Sequence, residues 1–312
     1  MADKIATREA YGAALAELGD KYDFVVLDAD LAAATKTGTF KKKFPDRFFD
    51  CGIAEGNMMT TAAGIASTGK TVFASSFAMF AAGRAFEQIR NSICYPHLNV
   101  KIGATHAGVS VGEDGATHQC CEDIALMRTL PGMTIINPAD GTEARAAVEA
   151  AINYVGPVYM RFGRLAVPYL FDSDYKFEIG KGVKLTDGSD VTIIATGLPV
   201  YMAVEAGKLL ANEGISAEVI NIHTIKPLDE ALVIASAKKT GAVVTAEEHN
   251  IIGGLGGAVC ETLSGACPTP VVRVGVNDVF GKSGKGADLL GVFGLSPENI
   301  AASCKKAISL KK

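Results

Sequence analysis

Runs of aliphatic and β-branched residues alternate along this chain with stretches whose apolar positions recur every three or four residues. In the first half, "FVVLD" (24–28), "TVFAS" (71–75), "NVKIGAT" (99–105), "MTIINP" (133–138) and "PVYMRF" (157–162) read as strands. Between them, "REAYGAALAELGDKY", "EGNMMTTAAGIAST" and "DGTEARAAVEAAINY" read as helices, the last opening on an Asp140/Glu143 capping box. Such βα alternation predicts an α/β fold in which a mostly parallel sheet is flanked by helices, with ligands bound at the carboxyl ends of its strands. The charged, glycine-containing stretch 171–188 reads as a linker with edge strands. It divides a domain at 1–170 from a second at 189–312, where "VTIIATG", "AEVINI", "GAVVTAEE" and "PVVRVGV" supply four more strands. Two domains of the same α/β type are expected.

Composition narrows the function classes. With 30 basic and 34 acidic residues among 312, and a net charge of −4, the chain offers no basic face for a nucleic-acid backbone. The amino terminus lacks the apolar core of a signal peptide and no apolar run is long enough to span a membrane, so a cytoplasmic protein is expected. Seven cysteines without a C-x-x-C pair fit reduced thiols better than disulfides or zinc.

Two glycine-rich stretches are decoys. "GGLGGAV" (253–259) lacks the strand-turn-helix spacing of a dinucleotide fingerprint, and "VFGKSGKG" (279–286) has Val276 where a phosphate loop needs its first glycine. His223 and His249 receive no role. The segment "GEDGATHQ" differs, because two carboxylates and His118 are costly to bury unpaired and its glycines offer no apolar surface. Glu55 alone is explained by the positive end of a helix dipole. In a parallel sheet, however, the loops carrying Glu55, "SSFAMF" and "THAG…GEDGATHQ" converge, bringing a carboxylate, Phe77, Phe80, His106 and His118 into one crevice.

On these residues the chain resembles the transketolase family of thiamine diphosphate enzymes. "DADL", "GIAEGNM", "SFAMF", "THAGVSVGEDGATHQ" and "HTIKPLD" each resemble a family segment, in the family's order and spacing, along the whole length. The resemblance implies the pyrimidine-binding fold followed by the transketolase C-terminal domain. Full-length members also carry a diphosphate-binding domain whose metal site is marked by G-D-G, a tripeptide this sequence does not contain. The resemblance therefore implies the C-terminal component of a split transketolase, which transfers a two-carbon ketol unit between a ketose phosphate and an aldose phosphate. A separate N-terminal subunit would complete a heterotetramer and hold most of the thiamine diphosphate and its Mg2+ (or Ca2+), leaving this chain no metal site.

Residue by residue, Glu55 matches the family carboxyl that hydrogen-bonds the aminopyrimidine ring nitrogen, and Phe77 and Phe80 match the aromatics packed on that ring. His118 resembles the histidine that contacts donor hydroxyls and shuttles protons, and Asp114 the acid that recognises a sugar hydroxyl. His106, Arg161 and Arg8 resemble the cluster that holds the sugar phosphate, a task suited to guanidinium geometry. Two positions depart from the pattern: Gly83 stands where many members have Tyr, and Ala34 where a phosphate-binding Ser is common, leaving Thr35 or Lys36 as substitutes. Deoxyxylulose-phosphate synthase and the beta subunit of 2-oxo acid dehydrogenases are the nearest alternatives. The first carries its diphosphate domain in the same chain, and the second lacks the "GEDGATHQ" form. A split transketolase for an unusual sugar phosphate stays open. A non-catalytic scaffold of the same fold would have no reason to keep Glu55, His106, Asp114 and His118 together.

Overall fold

The apolar runs form strands where their pattern places them, in a computed structural model that describes residues 4–311. In chain order these are β1 (Lys4–Ala6), β2 (Phe24–Asp28), β3 (Phe48–Asp50), β4 (Thr71–Phe77), β5 (Val100–Thr105), β6 (Thr134–Ile136), β7 (Val158–Arg161) and β8 (Ala166–Pro168). The second half adds β9 (Val183–Thr186), β10 (Val191–Ala195), β11 (Ala217–Asn221), β12 (Thr224–Lys226), β13 (Val243–Asn250) and β14 (Val271–Val276). The larger sheet runs β12-β6-β7-β5-β4-β2-β3, parallel except for β12. The smaller runs β14-β13-β10-β11-β9, parallel except for β9.

Strands β2, β5, β6 and β7 are buried along their whole length, because helices cover both faces of the larger sheet. On one face Met58, Met59 and Ala62 of helix Glu55–Ala66 pack with Ile89 and Ile102. On the other, Tyr11 and Leu15 of helix Thr7–Leu18 and Val148 of helix Gly141–Asn153 pack with Phe24 and Phe73. Asp140 caps the helix, accepting the Glu143 N–H at 2.8 Å, while the Glu143 carboxylate reaches one residue further back and accepts the Ala139 N–H at 2.7 Å.

Three pairings lay outside the periodicity. β1 and β8 make a small antiparallel ribbon, and β3 extends the sheet edge beside β2. β12, three residues within "HTIKPLD", crosses from the second half to pair antiparallel with β6, and the Lys226 ammonium donates to the carbonyls of Arg128 and Leu130 at 2.8 and 2.6 Å. Strands this short carry too few positions to show a period. Because β2, β4, β5 and β7 are adjacent and parallel, the loops leaving them open on one rim of the sheet. No helix among the described residues is long and apolar enough to cross a membrane.

Candidate functional site

Glu55 is the first residue of its helix, and its side chain is 2% exposed. Burying a carboxylate costs several kcal/mol unless it is paired. The pairing comes from Arg84, whose Nη1 donates to both carboxylate oxygens at 2.9 and 2.8 Å. Arg84 is 52% exposed at the side chain and lies over the Phe80 ring, 4.6 Å from its centroid. It ends a π-helical turn, Met79–Arg84, that follows β4 directly. The wide turn sets Phe77 and Phe80 in a stack at 5.8 Å. The space a β-carbon would take at Gly83 is filled by the Met79 methyl, 2.2 Å from that position.

The loop after β5 delivers both histidines. His106 has positive φ (57°) and stacks on Phe77 at 3.8 Å, while His118 meets Phe80 edge-on at 5.3 Å. Arg8 approaches the His106 Nε2 at 2.8 Å, and Thr105 Oγ1 lies 2.9 Å from Nδ1. Arginine can only donate, so Nε2 accepts and Nδ1 carries the proton. Burial, then the charges of Arg8, Arg164 and Lys36, pushes the His106 imidazole down to about 3. It is neutral at physiological pH. Asp114 lies exposed at the tip of the same loop, and the His118 Nδ1 is 2.9 Å from Thr117 Oγ1.

The cationic end of this arrangement has an arginine beyond the expected cluster. Arg161 is only 3% exposed, and its Nε donates to Asp123 Oδ2 at 2.8 Å while Nη2 donates to the Glu248 carbonyl at 2.9 Å. Asp123 also accepts the Tyr159 hydroxyl at 2.8 Å. Two of its three guanidinium nitrogens are held in this buried lock. Arg164 is more open: its side chain is 36% exposed, it donates to Glu113 at 2.7 Å and to the Val111 carbonyl, and its charge acts on both Arg8 and His106. Of the two candidates near Ala34, Thr35 is consumed. Its hydroxyl and that of Thr37 donate to Asp28 Oδ2 at 2.7 and 2.8 Å, and both threonines are fully buried. Lys36 remains partly exposed, 3.7 Å from Glu9, while Arg8 also donates to the Ala34 carbonyl at 3.0 Å. Close approach of this loop to the first helix requires Gly12, where a β-carbon would lie 2.3 Å from the Lys36 carbonyl oxygen.

The second domain backs the site. Glu248 accepts the Ser110 N–H at 2.6 Å, Asn250 N–H donates to the Cys121 carbonyl at 2.7 Å, and Gln119 Nε2 donates to the Lys282 carbonyl at 2.8 Å. Gly108 has φ 82°, and a β-carbon there would lie 2.4 Å from the Glu248 carboxyl, so only glycine suits the position. Between the loops, a cleft of about 690 Å³ is lined by Phe80, Arg84, Thr117, Glu122, Asp278 and Phe280, among others. Among the described residues, no group of three or more His, Cys, Asp or Glu could hold a metal ion.

A buried carboxylate, a pair of stacked aromatics, two histidines and a cationic end thus lie together at the rim of a parallel sheet. The family model for the transketolase pyrimidine-binding domain matches residues 3–168, and that for the transketolase C-terminal domain matches residues 180–300. The chain belongs to the transketolase family. It is 43% identical, over 97% of its length and 95% of the relative's, to the 6-deoxy-6-sulfo-D-fructose transketolase subunit SqwH of Clostridium sp. (strain MSTE9). It is 40% identical, over 99% of its length and 98% of the relative's, to one subunit of the apulose-4-phosphate transketolase of Phocaeicola vulgatus. A solved structure described as a split gene transketolase, an inactive beta4 tetramer, superposes with a TM-score of 0.93 at 56% identity, covering 99% of this chain and 100% of that one.

Proposed function

We propose that this chain is the C-terminal component of a two-subunit, cytoplasmic transketolase. With an N-terminal partner that supplies the diphosphate-binding domain and the divalent metal, it forms a heterotetramer. The complex transfers a two-carbon ketol unit between sugar phosphates using thiamine diphosphate. One observation carries the reading: Glu55 is a buried carboxylate beside stacked Phe77 and Phe80, at the opposite end of a ring cluster from the cations Arg8, Lys36 and Arg164. The residues fit the cofactor, because Glu55 already meets a planar cation lying on Phe80, and an aminopyrimidine is likewise planar with a nitrogen at its edge. When bound, the cofactor supplies a nucleophilic thiazolium carbon that accepts the ketol unit.

The chain's own residues do the rest. Glu55, buried at the helix start, hydrogen-bonds the pyrimidine ring nitrogen and shares a proton with it. Phe77 and Phe80 exclude water from the ring and fix its plane. His118, beside Phe80, moves a proton at the donor oxygen, and Asp114 accepts from a sugar hydroxyl. His106, held neutral, accepts from Arg8 and thereby aims that guanidinium toward the substrate's anionic group with Arg164 and Lys36. The relatives named for a sulfo-sugar and for a phosphate both carry an anionic substrate end, in keeping with a cationic subsite.

The test is Glu55→Ala in the assembled complex. Activity falls roughly a hundredfold or more, as expected for loss of a positioned proton-transfer group. Exchange of the thiazolium C2 proton, followed by NMR, slows with it. Unchanged exchange would reduce Glu55 to a helix-end acid.

A further inference from the structure

Among the described residues, the Glu55 carboxylate has no hydrogen-bond partner besides Arg84. Arg84 meets it with an N–H edge while its plane covers Phe80, and Phe80 in turn stacks on Phe77. A guanidinium is a flat, positively charged N–C–N unit. A ring-protonated aminopyrimidine presents the same unit: a flat amidinium whose N–H points to a carboxylate and whose face lies on an aromatic. Both cannot use the same oxygens and the same ring face at once.

We propose that Arg84 is an internal competitor of the cofactor, a displaceable side chain that occupies the pyrimidine slot through Glu55 and Phe80. The inference rests on the reading of Glu55 as the pyrimidine's partner. The two ends of the contact are built for exchange. Glu55 is fixed and buried at a helix start, whereas Arg84 is half exposed on a long side chain at the end of a π-helical turn, free to swing into the adjoining cleft of about 690 Å³. Glu122 and Asp278 on the cleft wall offer carboxylates to receive it. Arg84 keeps the carboxylate paired and in place, and cofactor binding must break that pair, which lowers the net affinity. Removing a competitor for a binding site raises apparent affinity by the reciprocal of the fraction of time the site was open, so a site open about a tenth of the time gains about tenfold.

The experiment is calorimetric titration of thiamine diphosphate with Mg2+ into the complex assembled with the N-terminal subunit. Wild type, Arg84→Gln, Arg84→Lys, Glu55→Gln and the double variant Glu55→Gln/Arg84→Gln are compared. Arg84→Gln is expected to bind about tenfold more tightly than wild type. Arg84→Lys, which keeps the buried carboxylate paired but lacks the planar fork, is expected to bind a few-fold more tightly and serves if Arg84→Gln does not fold. Glu55→Gln binds more weakly, and adding Arg84→Gln to it changes affinity less than about twofold, because without the carboxylate nothing holds Arg84 in the slot. Unchanged or weaker binding by both Arg84 variants, with Glu55→Gln still weakened, overturns the proposal and leaves the Glu55 reading standing. Unchanged binding by Glu55→Gln overturns both.

Discussion

Arg161 and Arg164 stand three residues apart, and their surroundings separate their roles. Arg161 and Asp123 are both buried, so truncating the arginine leaves a carboxylate without its counter-charge, a change that costs about 3–5 kcal/mol of stability. Arg164 is a third exposed and pairs with the exposed Glu113, a bond worth at most about 1 kcal/mol to folding. Arg161→Ala is therefore expected to lower the melting temperature sharply and to affect all substrates alike. Arg164→Ala is expected to melt near wild type and to lose about 10- to 100-fold in kcat/KM for a phosphorylated donor such as xylulose 5-phosphate, while hydroxypyruvate, which has no phosphate, is little changed. Equal losses on both donors in Arg164→Ala would remove the cationic subsite from the proposal.

At the scale of elements, the long βα units were legible because each repeats its period over enough residues. The three-residue strands β1, β3, β8 and β12 were not, and neither was the π-helical turn 79–84, whose extra residue per turn has no compositional mark. That turn places Arg84 on Glu55, so the hydrogen-bond partner of the carboxylate that the sequence singles out stayed invisible. Arg164 went unnoticed for the same reason: the side on which an arginine ends depends on where β7 stops and on the bend at Arg164 and Leu165. The Asp140 cap was legible, but not the further use of Glu143, which accepts from the Tyr175 hydroxyl at 2.7 Å and from Asn221 at 2.8 and 3.0 Å. One carboxylate thus ties the connector and the second sheet to a helix of the first domain. Burial pushes its pKa up to about 7 against the partial relief of these bonds. A folded-state pKa above the unfolded value means that the folded form takes its proton first. The contribution is complete below about 4.5 and is lost as pH rises through about 7. In Glu143→Gln, urea melts between pH 5 and 8 should lack that pH-dependent component and so show a smaller loss of stability toward pH 8 than wild type. An identical pH slope would mean that Glu143 is ionised throughout.

At the scale of the whole molecule, the proposed site is one-sided. The aminopyrimidine has about nine non-hydrogen atoms, and at about 0.5 kcal/mol each they supply roughly 4–5 kcal/mol, a dissociation constant near the millimolar range. In this chain that ring must also displace Arg84 from Glu55. Tight binding of thiamine diphosphate depends on the diphosphate and its metal, and no cluster of acidic, histidine or cysteine side chains for that ion exists among the described residues. The chain alone is accordingly expected to bind the cofactor no more tightly than about millimolar, with no dependence on Mg2+, and to turn over no substrate. Adding the N-terminal partner should give magnesium-dependent binding at least a hundredfold tighter, since a divalent ion held there would supply about 3 kcal/mol or more that the ring cannot. Calorimetry of the chain with and without that partner, each with Mg2+ and with EDTA, reads both quantities. Micromolar, magnesium-dependent binding to the isolated chain would show that it carries a complete site, and the two-subunit reading would fall.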